Sequence, residues 1–242
     1  MTERGEAALT ASRHHLQIGP SALRWKGGAL VVDFDEMSVP RPPRDWLPRR
    51  LRGQVRIEAD AMPGRAFDLD PAGRHVWAPL APLARVSVEV AGRGGFEGHG
   101  YLDSNWGDEP LEAGFARWDW ARARTPDGRA LVAYDARRRD GGETLMGLAF
   151  DAGGGVEAVP LPTREPMRRG FWGVRRDMRG QGARVVRTLE DGPFYTRSEV
   201  ETRHEGAPLR WVHETFDGDR FASRTVKAML PFRMPRRARW KP

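Results

Sequence analysis

The chain has no cysteine, only three tyrosines, and far fewer lysines than arginines. Without cysteine it can form no disulfide, no thiolate metal site and no cysteine nucleophile. That absence fits a reducing compartment. No apolar run approaches the ~20 residues of a membrane-spanning helix, and no signal-peptide hydrophobic segment opens the sequence. The expected location is therefore cytoplasmic. Gly92–Gly95 and Gly153–Gly155 are glycine-rich, yet neither opens a helical pattern, so both read as turns and not as phosphate-cradling loops. Neither a Gly-x-Ser-x-Gly elbow nor a His-Glu-x-x-His pair occurs.

Aromatic residues are plentiful by contrast. Nine tryptophans and ten phenylalanines in 242 residues, with 39% apolar content, describe a folded chain with a sizeable core. The formal charge of +7 favours anionic partners. Nucleic acid is not the expected one, because the aromatics form no recognisable stacking module. Apolar residues alternate along Gly53–Glu58 and Ala84–Val90, and Trp118 and Trp120 stand two apart in Phe115–Arg122; Ala22–Trp25, Ala29–Glu36, Ala130–Arg137, Glu143–Asp151, Ala183–Glu190, Thr196–His204 and Pro208–Phe216 also read as short strands. Phe171–Arg176 and Arg220–Met229 are read as strands too. Gly27-Gly28, Asp191-Gly192 and Asp217-Gly218 read as hairpin turns. Short strands at regular spacing predict an all-β antiparallel sandwich or barrel. Their number predicts two modules, residues 1–112 and 113–242.

Polar chemistry is densest in Gly98-His-Gly-Tyr-Leu-Asp-Ser-Asn-Trp-Gly107. On a strand, His99, Tyr101, Asp103 and Asn105 share one face, and Leu102, Ser104 and Trp106 the other. The plain alternative is a strand running into an Asp/Ser/Asn turn. His75, His99 and Asp103 have the residue types of a two-histidine, one-carboxylate metal triad. The same set also serves proton chemistry without a metal, and no metal site is assigned. Trp118, Trp120, Trp172 and Trp211 are read as core. His14 and His15 read as a solvated pair, and His204 and His213 as surface or hydrogen-bonded core residues.

The stretch Gly98–Gly107, with Glu109-Pro-Leu111, Arg117-Trp-Asp-Trp-Ala-Arg122, Ile18–Trp25 with Gly28–Val32, and Met229–Arg237, resembles the carotenoid 1,2-hydratase (hydroxyneurosporene synthase) family over nearly the whole chain. The resemblance implies two tandem lipocalin-like β modules. It also implies hydration of the terminal C1–C2 double bond of acyclic carotenes, without metal or redox cofactor. Carried over by motif, the functional set falls on His75, Trp77, Tyr101 and Asp103, with Asp103 as proton donor. Trp106, His99 and Asn105 are the expected substrate contacts. Family members begin with an aromatic-rich strand, whereas Met1–Gly5 resembles an internal stretch. The first module is thus expected to be N-terminally truncated, which would expose an unpaired sheet edge.

The chemistry suits these residues. Hydration starts by protonating C2, leaving a tertiary cation at C1. The acid must be neutral to give that proton, and an apolar pocket favours the neutral carboxyl. Indole and phenol faces stabilise the cation by about 2 kcal/mol when desolvated. Water then attacks C1, with His75 as base, as water-holder or as the group that orients Asp103. The basic, aromatic tail Pro231–Lys241 suits the anionic face of a membrane, where carotenes dissolve. A lipocalin-like carrier without chemistry, or another lyase or isomerase acting on a terpenoid or polyketide, would use the same scaffold.

Overall fold

The structure, a computed structural model, describes residues 4–38 and 46–233, excluding the side chains of 231–233. The expected tail therefore lies almost wholly outside the described residues. The fold is all-β, with antiparallel sheets. The chain divides into two compact units interleaved in sequence: Met1–Asp60, Ala84–Tyr101 and Ala228–Pro242 form one, Ala61–Leu83 and Leu102–Lys227 the other.

The first unit is a meander of β1 (Leu9–Ser12), β2 (His15–Ile18), β3 (Ser21–Lys26), β4 (Ala29–Met37) and β5 (Arg50–Ala59), each antiparallel to the next. Gly27 and Gly28, both at positive φ, close the β3–β4 hairpin as an Asn/Gly-type primed turn requires. The short β6 (Phe67–Asp68) precedes β7 (His75–Val90), a 16-residue strand paired on to β8 (Gly94–Gly107). Register aligns Val32, Val55 and Val88 in one row and Leu30, Ile57 and Val86 in another. These apolar rows explain why the strands hold this register, since a one-residue slip would turn them to the other face.

The second unit is built on a seven-stranded sheet in the order β12-β11-β10-β9-β17-β16-β15. Its strands are β9 (Phe115–Arg124), β10 (Ala130–Arg138), β11 (Glu143–Phe150), β12 (Val156–Ala158), β15 (Gln181–Asp191), β16 (Tyr195–His204) and β17 (Ala207–Asp217), and β13 (Arg164–Met167) pairs β14 (Arg176–Arg179) as a separate ribbon. Ala121, Ala123, Leu131, Ala133, Val200, Leu209 and Trp211 pack with Met167 and Met178 of the ribbon. Because side chains alternate, Trp118, Trp120, Tyr134 and Phe216 lie on the opposite face.

Several segments depart from the strand pattern. Phe171–Arg176 is mostly a turn, bracketed by Gly170 and Gly173, and β14 begins only at its last residue. Arg220–Met229 is helical: after the single-turn α1 (Leu111–Gly114), the chain forms α2 (Gly218–Ala222) and α3 (Arg224–Arg233). Asp217 does not open a hairpin. It caps α2, its Oδ1 accepting the Arg220 N–H at 3.0 Å. Ala222, Lys227, Ala228, Met229 and Leu230 all have high helix propensity, so local preference wins over a weak alternation. β7 runs through buried Pro79 and Pro82. Its pairing with β6 ends at Trp77 and that with β5 begins at Ala84, so both prolines fall where no N–H is needed on that side. No helix among the described residues is long and apolar enough to cross a membrane.

A buried polar cluster lies in the second unit. Asp119 accepts bonds from Arg117 at 2.9 and 3.1 Å and from Thr215. His213 is fully buried, with Nε2 2.8 Å from the Asp177 carbonyl. A carbonyl only accepts, so Nε2 carries the proton. Burial pushes the His213 imidazole below its ordinary value, against the pull of Asp119. The unfolded chain therefore takes up this proton first as pH falls. Stability from the neutral ring is complete above about pH 6.5 and is lost as pH falls toward the folded value. Denaturant titrations should show stability declining below about pH 6.5, by at most about 1.4 kcal/mol per pH unit for one proton. His213→Gln should flatten that decline, and an unchanged slope would remove His213 as its source.

Candidate active site

His75 and Trp77 open β7 two residues apart, and both are buried. They share one side of the strand. The Trp77 indole lies against Phe67, at 5.4 Å between ring centroids, and against Tyr134, at 5.6 Å. Its Nε1–H donates to Asp103 Oδ2 at 2.9 Å. Asp103 sits half-buried on β8, so one indole joins the carboxyl group to an aromatic row. From Tyr134 the row continues to Trp118 at 6.2 Å and on to Phe216, stacked at 5.9 Å. Burial, with the charges of Asp103 and Glu214 adding, holds the Tyr134 phenol well above the ordinary tyrosine value. Tyr134 is thus a neutral hydroxyl at any ordinary pH.

His75 has a different partner. Its Nε2 lies 3.2 Å from Glu109 Oε1, and Glu109 Oε2 accepts from Arg74 Nη1 at 3.1 Å. The ring meets Phe115 edge-on at 4.8 Å. Its backbone N–H donates to Asp70 Oδ2 at 2.8 Å. Burial pushes the Asp70 carboxyl up, but the N–H groups of Arg74, His75 and Ala72 outweigh it and leave it below the usual carboxylate range. Asp70 is therefore a charged anchor for the start of β7. A cavity of about 170 Å³ opens beside this pair, lined by Asp70, Arg74, Glu109, Gly114, Arg138 and Asp140 among others.

Two glycines let the backbone close on the imidazole. A Cβ on Gly107 would lie 2.5 Å from the Arg74 carbonyl and 3.0 Å from His75 Nδ1. A Cβ on Gly114 would lie 2.4 Å from His75 Nε2 and 3.0 Å from Glu109 Oε1. Gly114→Ala should therefore separate His75 from Glu109 and destabilise the unit by about 1–3 kcal/mol, as overpacking does. Thermal unfolding checks this, and an unchanged transition would mean the ring has room to move.

The structure thus brings Asp103 and Trp77 into contact and sets His75 on Glu109. Tyr101 is half-buried on β8, two residues before Asp103. Trp106 is 54% exposed, and His99 and Asn105 are exposed as well. The motif reading did not single out Glu109 or Tyr134. Glu109 stands in the quoted Glu109-Pro-Leu111 segment, which was its only signal. Among the described residues no group of three or more histidine or acidic side chains is placed to hold a metal ion.

The family model described as carotenoid hydratase CrtC matches residues 1–242. The acyclic carotenoid 1,2-hydratase of Thiocapsa roseopersicina is 48% identical over 241 residues, covering 98% of this chain and 58% of its own length. That of Rhodobacter capsulatus is 38% identical over 247 residues, covering 100% of this chain and 85% of its own. The chain thus spans less than two thirds of the first relative. Among solved structures, a protein described as AttH from Nitrosomonas europaea superposes with a TM-score of 0.62 at 17% identity, over 88% of this chain and 72% of that one. At that identity the likeness concerns the fold alone.

Proposed function

This chain belongs to the carotenoid hydratase CrtC family, and from that premise we propose that it adds water across the terminal C1–C2 double bond of acyclic carotenes. Substrates of the neurosporene and lycopene type would give 1-hydroxy carotenoids. The observation that carries the reading is the bond from Trp77 Nε1 to Asp103 Oδ2, which fixes a carboxyl group at the head of an aromatic row. Oδ2 accepts from the indole, so in the neutral acid the proton rides on Oδ1. The π electrons at C2 take that proton and leave a tertiary cation at C1. Trp77 and Tyr134 offer it their π faces, worth about 2 kcal/mol when desolvated. A water lone pair closes the bond to C1, and the oxonium then loses a proton. With Nε2–H donating to Glu109, His75 Nδ1 is the lone pair for that step. Glu109 orients the ring and stabilises it once charged. The proton taken by His75 returns to Asp103 through solvent before the next turnover, and the net addition of one water changes no overall oxidation state, so the reaction as written calls for no redox cofactor.

Tyr101 belongs to the same proposal as a neighbour of Asp103 on β8. Trp106, His99 and Asn105 are proposed to meet the outer part of the substrate. The tandem division into residues 1–112 and 113–242, and peripheral contact with a membrane from the cytoplasmic side, complete it. The chain should be expressed with membranes containing neurosporene or lycopene, with no cofactor added. A product heavier by one water supports hydration. A carrier reading has its own support, an apolar cavity of about 290 Å³ in the second unit lined by Leu131, Val159, Leu161 and Trp211 among others. Pigment bound without product would favour that reading, and a product of unchanged mass would point to an isomerase.

A further inference from the structure

We propose that the turn Gly170-Phe171-Trp172-Gly173 is a lipid-docking finger that places Phe171 in the surface of an anionic bilayer. Phe171 is 90% exposed, more than any other large apolar side chain among the described residues. This exposure is built, not slack. The Gly173 N–H donates to the Gly170 carbonyl at 3.1 Å and closes the turn. The Phe171 N–H donates to Asp191 Oδ2 at 2.6 Å, and Arg220 Nη1 donates to the Trp172 carbonyl at 2.8 Å. Gly170 sits so close to its support that a Cβ would fall 2.0 Å from Asp191 Oδ2, and Gly173 has φ +71°. The Trp172 ring braces Phe171 edge-on, with centroids 5.7 Å apart. A rigid frame thus presents a phenyl ring to water.

The surroundings select the partner. Arg168 and Arg169 precede the turn and Arg175 follows it, all exposed. Arg175 pairs with buried Asp177, and Asp191 spends its Oδ2 on the turn itself, with Arg176 3.7 Å away. Glu190 is the exposed acid beside it on β15, outnumbered by these arginines. Leu189, 41% exposed, adds apolar surface on the strand that anchors the turn. An aromatic tip flanked by arginines fits the boundary between headgroups and acyl chains: the ring leaves water while guanidinium groups meet lipid phosphates. The chain's +7 charge adds long-range attraction to the same surface. A convex tip of this kind offers little of the broad complementary area that a stable protein partner requires.

The inference deepens the proposed membrane contact by naming its docking element, and its test reads lipid binding without turnover. The full chain is sedimented with vesicles of phosphatidylcholine alone and of phosphatidylcholine with about one third phosphatidylglycerol. Binding should be confined to the anionic vesicles and weakened by salt. Phe171→Ser should lower affinity about tenfold, and Arg168→Gln with Arg169→Gln by a similar factor, at unchanged unfolding temperature. The chain has no cysteine, so an environment-sensitive dye on Phe171→Cys reports the tip directly. It should shift to the blue on anionic vesicles, while the same dye on Glu157→Cys, on β12 at the other end of the sheet order, should not. Absence of vesicle binding in the parent chain, full binding by Phe171→Ser, or equal shifts at both dye positions would each overturn the proposal. Product formation from detergent-dispersed carotene should be the same in Phe171→Ser and the parent. That measurement decides the hydration reading separately from the docking one.

Discussion

Asp103→Asn should lower formation of the 1-hydroxy product by about 10²- to 10⁴-fold, the usual contribution of a positioned general acid. The substitution suits the geometry. Asparagine keeps a carbonyl oxygen for the Trp77 Nε1–H, which the structure places 2.9 Å from Oδ2. It keeps nearly the same volume and loses only the transferable proton. Unfolding temperature and carotene binding should therefore stay close to those of the parent. The comparison also separates the two leading readings of the scaffold. A carrier would be indifferent to this change, whereas a hydratase would keep its pigment and lose its product. Full turnover by Asp103→Asn would remove the carboxyl group from the reaction.

Trp77→Ala should have the largest effect on stability. The indole is fully buried and touches both Phe67 and Tyr134. Truncating a buried tryptophan costs about 3–5 kcal/mol through lost transfer energy and the cavity left behind. It also removes the donor to Asp103, so activity falls for two reasons at once. Trp77→Phe separates them. Phenylalanine retains a ring against Tyr134 but has no N–H, so the stability loss should be smaller while Asp103 loses its fixed orientation. If the indole positions the acid, kcat and kcat/KM should fall together in Trp77→Phe with KM little changed. A rise in KM alone would make Trp77 a wall of the pocket and nothing more. Unfolding curves and steady-state kinetics on the two variants decide between these outcomes.

What the sequence made legible depended on how local each signal is. Strands such as Ala130–Arg138 and Glu143–Phe150 announce themselves as short apolar runs bounded by the turns Pro126-Asp127-Gly128 and Asp140-Gly141-Gly142, and the glycine hairpin at Gly27-Gly28 by its turn chemistry. The helices α2 and α3 were hidden, because Arg220–Met229 mixes spaced apolar residues with good helix formers, and the deciding cap at Asp217 also looks like a hairpin turn. The length of β7 was hidden by Pro79 and Pro82, which break a strand only where a neighbour needs their N–H.

The site divided along the same line. Asp103 and Trp77 were visible as motif residues, but their hydrogen bond spans two strands and depends on register. The partner of His75 was less legible still. Glu109 is one of many acids in the sequence, and only the close approach of Gly107 and Gly114 shows that the imidazole is enclosed against it. Tyr134 reads as an ordinary strand residue until Trp77 and Trp118 are seen on either side of it. Phe171 gives the opposite error: Phe171–Arg176 reads as a strand in sequence, whereas Gly170 and Gly173 close a turn that leaves the ring in solvent.

The central claim is that Asp103 delivers a proton to C2 and solvent water captures C1. Turnover of an acyclic carotene by this chain in deuterium oxide enriched in oxygen-18 tests it most directly, with the product read by mass spectrometry and NMR. The account predicts one non-exchangeable deuteron at C2 and labelled oxygen at C1 in every product molecule, with both labels lost alongside the product in Asp103→Asn. Product without deuterium at C2, or with unlabelled oxygen at C1, would contradict it.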